Sequence, residues 1–172
     1  MFNTLAKNMA KSLFLSLLLF ISFQSSFAAS NGAGTAMGKS TGVGFVVGDP
    51  TGIVLQVNAN TLNPIDFGAA YAWDHWFQFW GDYTFHYPRW MSNLVKSRSP
   101  IDAYWGVGAA ILAADNRYYS GSFGLLARIP FGLEMKLETA PIGFFVELVP
   151  AILFAPATNF YFQAGLGLRF YF

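Results

Sequence analysis

The chain has no cysteine, so disulfide frameworks, thiolate metal sites and lipoprotein acylation are all excluded. Charge is scarce as well: 11% of residues are charged, against about 25% in an ordinary soluble domain. The net charge is only +1, so there is no strong basic surplus to attract nucleic acid. Beyond residue 28 no apolar stretch reaches the 18 residues of a membrane-spanning helix. Only two histidines occur, without the spacing of a metal pair. What remains is hydrophobic (54%) and aromatic (19%). A greasy chain with no spanning helix can satisfy its backbone in lipid only as a closed barrel of strands.

The N-terminus reads as an export signal. Lys7 and Lys11 precede an apolar run from Leu13 to Phe23, and Ser26-Phe27-Ala28 forms a small-x-small cleavage site. That run is too short for a bilayer core, which needs about 20 residues. Residues 1–28 are therefore expected to be a signal peptide, and residues 29–41 a small, Gly-rich leader. Residues 42–172 form the single remaining domain. Without the signal, eight bases stand against nine acids.

From Gly42 onward eight segments alternate at period two, the repeat of a strand with two unlike faces. They cover about 42–48, 53–60, 65–73, 76–86, 101–112, 122–137, 142–153 and 159–172. The last is the most regular. Phe160, Phe162, Ala164, Leu166, Leu168, Phe170 and Phe172 share one face; Asn159, Tyr161, Gln163, Gly165, Gly167, Arg169 and Tyr171 share the other. In the second segment Ile53, Leu55, Val57 and Ala59 are expected to point outward. Lengths near ten residues suit tilted spanning strands. The fold expected is all-β, an eight-stranded antiparallel up-and-down transmembrane β-barrel.

Charge gives a second view of the same parity. Asp66, Asp82, Asp102, Arg128, Glu134, Lys136, Glu147 and Arg169 all fall on the inward side of their segments. A charge on the lipid face would cost about 2–4 kcal/mol at midplane. Eight strands leave an interior that side chains fill, so a packed polar lumen is expected. Arg128 and Glu147 should pair near mid-depth with Asp82 close by. With the N-terminus on the periplasmic side, Arg169, Glu134, Asp102, Asp66 and His86 should form a second cluster nearer the periplasm. Trp73, Trp76, Trp105, Tyr71, Tyr118, Tyr119 and Tyr171 sit near segment ends, where an interfacial girdle belongs. Trp80 points inward. Two features fit poorly: Pro130 and Pro150 lie inside segments, and Tyr87 to Pro100 makes a long connection on the side that such barrels keep short.

Chemistry is hard to find. Asp74-His75, with Thr51, Ser120 and Ser122 on neighbouring turns, could form a surface hydrolase or acyltransferase centre. Adjacent Asp and His rarely orient one another, however, and no nucleophile motif accompanies them. Glu134 and Glu147 are better read as ion-pair partners than as a catalytic pair. Gly106-x-Gly108 and Gly165-x-Gly167 precede no helix and read as small inward residues rather than nucleotide loops. The stretch from Arg89 to Arg98 is basic and partly amphipathic, fit to lie along a membrane surface. No catalytic residue, cofactor or metal is expected.

The segment layout resembles small eight-stranded outer-membrane barrels of the OmpA-transmembrane and OmpX type. Gly48-Asp49-Pro50-Thr51-Gly52, Ile65-Asp66-Phe67-Gly68, the run Phe123 to Pro130 and the Gly165–Phe172 ending are similar to an uncharacterised family of such barrels. The resemblance implies that in-strand prolines and a long fourth connection are family features; it transfers no catalytic residues. The Gly167-x-x-Phe170-x-Phe172 ending resembles the signal read by the outer-membrane assembly machinery. The implied setting is the outer membrane, as a monomer. The implied partners are outer-membrane lipids, lipopolysaccharide, periplasmic chaperones and the assembly machinery, with no nucleic acid. The expected role is non-enzymatic, in envelope integrity or surface contact. The alternatives are a lipid-modifying enzyme with its centre at the rim, and a soluble lipocalin-like binder with the opposite face turned inward.

Overall fold

The computed structural model describes residues 38–72, 76–88, 101–114, 123–155 and 157–172. Nine strands follow one another: β1 (Thr41–Asp49), β2 (Thr51–Val57), β3 (Ile65–Tyr71), β4 (Trp76–Tyr87), β5 (Ile101–Ala114), β6 (Phe123–Arg128), β7 (Phe131–Lys136), β8 (Ile142–Ala155) and β9 (Asn159–Tyr171). β6 and β7 are two halves of one stave, since both pair with β5 on one side and β8 on the other. Each stave pairs antiparallel with its sequence neighbours, and β1 pairs with β9 to close the ring. The result is a closed eight-stranded up-and-down barrel without a free edge.

The break between β6 and β7 falls at Ile129-Pro130, beside Pro150 of β8. Pro130 accepts a bond from Gly106 N (2.8 Å), and Pro150 accepts one from Ile129 N (3.0 Å). Each proline thus keeps its carbonyl in the ladder and omits the N–H that would answer it. Both omissions lie at one level, one on either side of the same stave. The sheet stays closed around them. The in-strand prolines interrupt one stave without opening the barrel.

The turns at the two ends differ. Between β1 and β2 the Thr51 hydroxyl accepts from Gly48 N (3.1 Å) and donates to Gly48 O (2.8 Å). At the opposite end, residues 58–64 fold over the mouth. Asn58 adopts φ 58°, a left-handed conformation that Asn tolerates. The Thr61 hydroxyl donates to Asn58 O (2.8 Å), and Thr84 N and His86 N donate to Pro64 O (3.1 Å) and Leu62 O (2.8 Å). Asn58 breaks the strand's alternation, so Ala59 is fully buried rather than outward as its parity suggested.

Side chains follow the alternation elsewhere. Val43, Phe45, Ile53, Phe67, Phe79, Ile111, Leu125, Phe144, Phe162 and Leu166 all stand exposed on the outer wall. At the end holding the 58–64 turn, the outer wall carries an aromatic group in which Trp105 stacks on Phe85 (centroids 4.9 Å) and reaches the Tyr87 hydroxyl (3.3 Å). Tyr71 packs edge-on against Phe77 at the other end (4.9 Å).

The interior has two layers. Toward the β1–β2 turn, Val46, Val54, Ala70, Trp80, Ala110, Leu112, Leu126, Ala151 and Leu153 form an apolar core, with Trp76 and Tyr161 packed against it. The Gln78 and Gln163 amides bond each other reciprocally across it (3.2 and 2.7 Å). The lumen is therefore polar over only part of its length, and around Trp80 it is apolar. Trp76 belongs to this core rather than to a girdle.

Candidate functional site

The other layer is where the charges meet. Asp66, Asp82, Asp102, Arg128, Glu134, Lys136 and Arg169 are buried, and the Glu147 side chain is 15% exposed. Two clusters form. In the first, at mid-depth, Arg128 Nη2 lies 3.3 Å from Glu147 Oε1 and Arg128 Nε lies 3.1 Å from Asp82 Oδ1. The Nε–H is not aligned on Asp82, so that contact is an ion pair without a hydrogen bond. The Tyr104 hydroxyl donates to Glu147 Oε2 (2.8 Å), and the guanidinium lies over the Trp80 ring (4.8 Å). Arg128 thus joins the charged layer to the apolar one.

The second cluster centres on Glu134. Arg169 Nη1 donates to its Oε1 (2.9 Å), Lys136 Nζ stands 3.4 Å from Oε2, and the Tyr171 hydroxyl donates to Oε1. His86 Nδ1 is 3.8 Å from Oε2, and its ring stacks on Tyr104 at 4.8 Å. Arg169 Nη2 also faces Asp66 Oδ1 (3.4 Å), while its guanidinium lies over Phe145 (4.0 Å). Asp102 is the register partner of Glu134 on β5. Lys136 Nζ further contacts Ala59 O (3.4 Å) and so touches the turn that covers this mouth.

Glycine makes room for the larger inward groups. Gly68 lies in register with Trp80, Gly132 with Tyr104, Gly167 with Phe145, Gly42 with Tyr171, and Gly108 with Asp82. A Cβ at any of these glycines would collide with the partner's side chain. Gly167 of the C-terminal motif is therefore a packing slot for Phe145. Phe170 and Phe172 stand exposed on the outer wall.

Several participants were not distinguished by the sequence pattern. Tyr171 is 1% exposed and belongs to the Glu134 cluster, not to an interfacial girdle. Tyr104 and Gln56 have no charge to mark them, and Lys136 carried no partner. An inward parity was the only signal available for each.

Catalytic chemistry finds no framework among the described residues. No group of three or more His, Asp or Glu there could hold a metal ion. On the outer wall a groove runs over Gly81, Ala109 and Ala127, flanked by Phe67, Phe79, Ile111, Leu125 and Phe154, and no nucleophile lines it. Asp74, His75, Ser120 and Ser122 lie outside the described residues, as do Trp73, Tyr118, Tyr119, the stretch from Arg89 to Arg98 and residues 1–37.

These features define a class: a closed eight-stranded antiparallel up-and-down barrel, apolar outside, with one apolar and one charged layer inside. No family model and no curated protein matches the sequence. Among solved structures, the chain is similar to the N-terminal β-barrel domain of Pseudomonas aeruginosa OprF. The TM-score is 0.49 and the sequence identity 15%, over 78% of this chain and 98% of that one. The pairing of this chain's own strands, not that likeness, defines its fold.

Proposed function

We propose that the protein is a non-enzymatic outer-membrane barrel with a closed interior, serving envelope integrity or surface contact. The observation that carries this reading is the inside-out distribution of side chains. The outer wall is a belt of exposed Phe, Leu, Ile and Val, whereas Asp66, Asp82, Asp102, Arg128, Glu134, Lys136, Glu147 and Arg169 are turned inward, where ion pairs form among them. In water that belt would be an aggregation surface; in a bilayer it is the ordinary exterior. A lipocalin-like binder needs the opposite arrangement, with an apolar cavity inside.

Residues 1–28 direct export, periplasmic chaperones carry the chain, and the assembly machinery inserts it through the Gly167-x-x-Phe170-x-Phe172 ending. It sits as a monomer among outer-membrane lipids and lipopolysaccharide. The apolar layer around Trp80 and the clusters around Arg128 and Glu134 are stacked within the lumen, which supports a closed interior. Envelope support, rather than solute passage, is the role that follows.

Two measurements test this. Protein from isolated outer membranes should run faster unboiled than boiled on a detergent gel. Recovery in the soluble periplasmic fraction with no shift would overturn the membrane reading. Reconstituted vesicles should then show no sugar-driven swelling beyond empty controls; swelling would overturn the closed interior.

A further inference from the structure

The seam between β1 and β9 joins strands from opposite ends of the chain. No turn sets its register, unlike that of β1 and β2, and a one-residue slip would exchange the two faces of β9. One inward side chain of β9 touches strands on both sides of this seam. The Tyr171 ring lies in register with Gly42 of β1, where a Cβ would stand 2.6 Å from Tyr171 Cε1. Its other edge faces Gly143 of β8, where a Cβ would stand 2.9 Å from Cε2.

The hydroxyl donates its proton to Glu134 of β7 and lies 3.2 Å from Gln56 Oε1 of β2. Lys136 Nζ sits over the ring at 5.6 Å. Beside it, Thr41 N donates to Phe172 O (3.3 Å) and Phe172 N to Thr41 O (2.8 Å).

We propose that Tyr171 is the latch that fixes the β1–β9 register and closes the barrel. Its ring fits only where Gly42 and Gly143 leave space on both neighbours. Its hydroxyl finds Glu134 and Gln56 only when the first two staves and the last three are already in place. In a slipped register Phe170 and Phe172 would enter the charged layer, where they have no hydroxyl to offer Glu134. Closure and completion of the Glu134 cluster are then one event.

The test uses the full chain, unfolded in urea and diluted into detergent micelles with no other protein, so that recognition by assembly factors plays no part. Closure is followed by unboiled gel mobility and by amide exchange at Thr41 and Phe172. Tyr171→Ala should close at least tenfold more slowly and lose at least tenfold protection at both amides. Tyr171→Phe, which keeps the ring, should lose about threefold. Phe172→Ala, which removes an outward ring, should match the parent protein. Equal slowing by Tyr171→Ala and Phe172→Ala would overturn the proposal, as would parental closure and protection in Tyr171→Ala. If Tyr171→Ala does not fold, Tyr171→Phe decides: reduced protection supports the latch, and parental protection overturns it.

Discussion

Asp66 and Asp82 are register partners on β3 and β4, yet each carboxylate faces a different arginine: Arg169 stands 3.4 Å from Asp66 and Arg128 stands 3.1 Å from Asp82. Like charges directly opposite one another on a sheet destabilise it. The two arginines enter from other staves and divide the pair between two clusters. Cation placement, rather than strand pairing, makes this part of the lumen tolerable.

Removing either arginine should therefore be severe. Arg128→Met leaves Asp82 and Glu147 without their cation, and breaking a buried pair in this way costs about 3–5 kcal/mol. The triple variant Asp82→Asn, Arg128→Met, Glu147→Gln removes charge from both sides and should recover most of that loss. Urea unfolding in detergent measures both. Equal stability of the single variant and the parent would show that the cluster contributes nothing.

The inward glycines should be intolerant where an aromatic ring occupies their space. Gly68→Ala would drive a methyl into the Trp80 indole, and overpacking of this kind costs about 1–3 kcal/mol. Gly81→Ala on the outer wall meets only the Phe67 ring at 3.4 Å, an ordinary contact, and should stay within about 0.5 kcal/mol of the parent. The difference between the two unfolding free energies checks the packing; equal values would refute it.

The outward belt should reject charge in proportion to depth. Ile111→Lys, in the long strand β5, should cost about 2–4 kcal/mol in vesicles if that position lies near the bilayer midplane. In detergent, where the head group reaches water easily, the cost should shrink. Equal penalties in the two media would remove the support this wall gives to a membrane setting.

Much of this fold can be read from period two alone. The alternation from Asn159 to Phe172 and the shared parity of the strand charges already place one face outward and one inward. What a single strand cannot reveal is register, because that depends on turns and on closure. The pairing of Gly68 with Trp80, and of Gly167 with Phe145, exists only between strands. Tyr171 looked like an interfacial aromatic because its depth, unlike its parity, depends on what lies across the lumen. Ala59 failed the alternation because Asn58 takes a left-handed φ of 58°, a local event with no periodic trace.

The last prediction concerns the two omitted ladder bonds. Pro150 is half-buried, and it has no N–H to reciprocate the bond that its carbonyl accepts from Ile129 N. Pro150→Ala would restore that donor, for which a net hydrogen bond is worth about 0.5–1.5 kcal/mol. Against this, the unfolded chain regains freedom that proline had removed, at about 0.4–1 kcal/mol. The two nearly cancel in water. In lipid, where no solvent can replace a missing ladder bond, the restored bond should win and Pro150→Ala should be the more stable protein. Pro130→Ala should not share the gain, because the Pro130 ring is fully buried beside Gly106 and its loss would leave a void. Unfolding of both variants in vesicles, with exchange of the new residue-150 amide, decides the matter. A destabilised Pro150→Ala with an unprotected amide would mean that the proline shapes the stave rather than merely interrupting it.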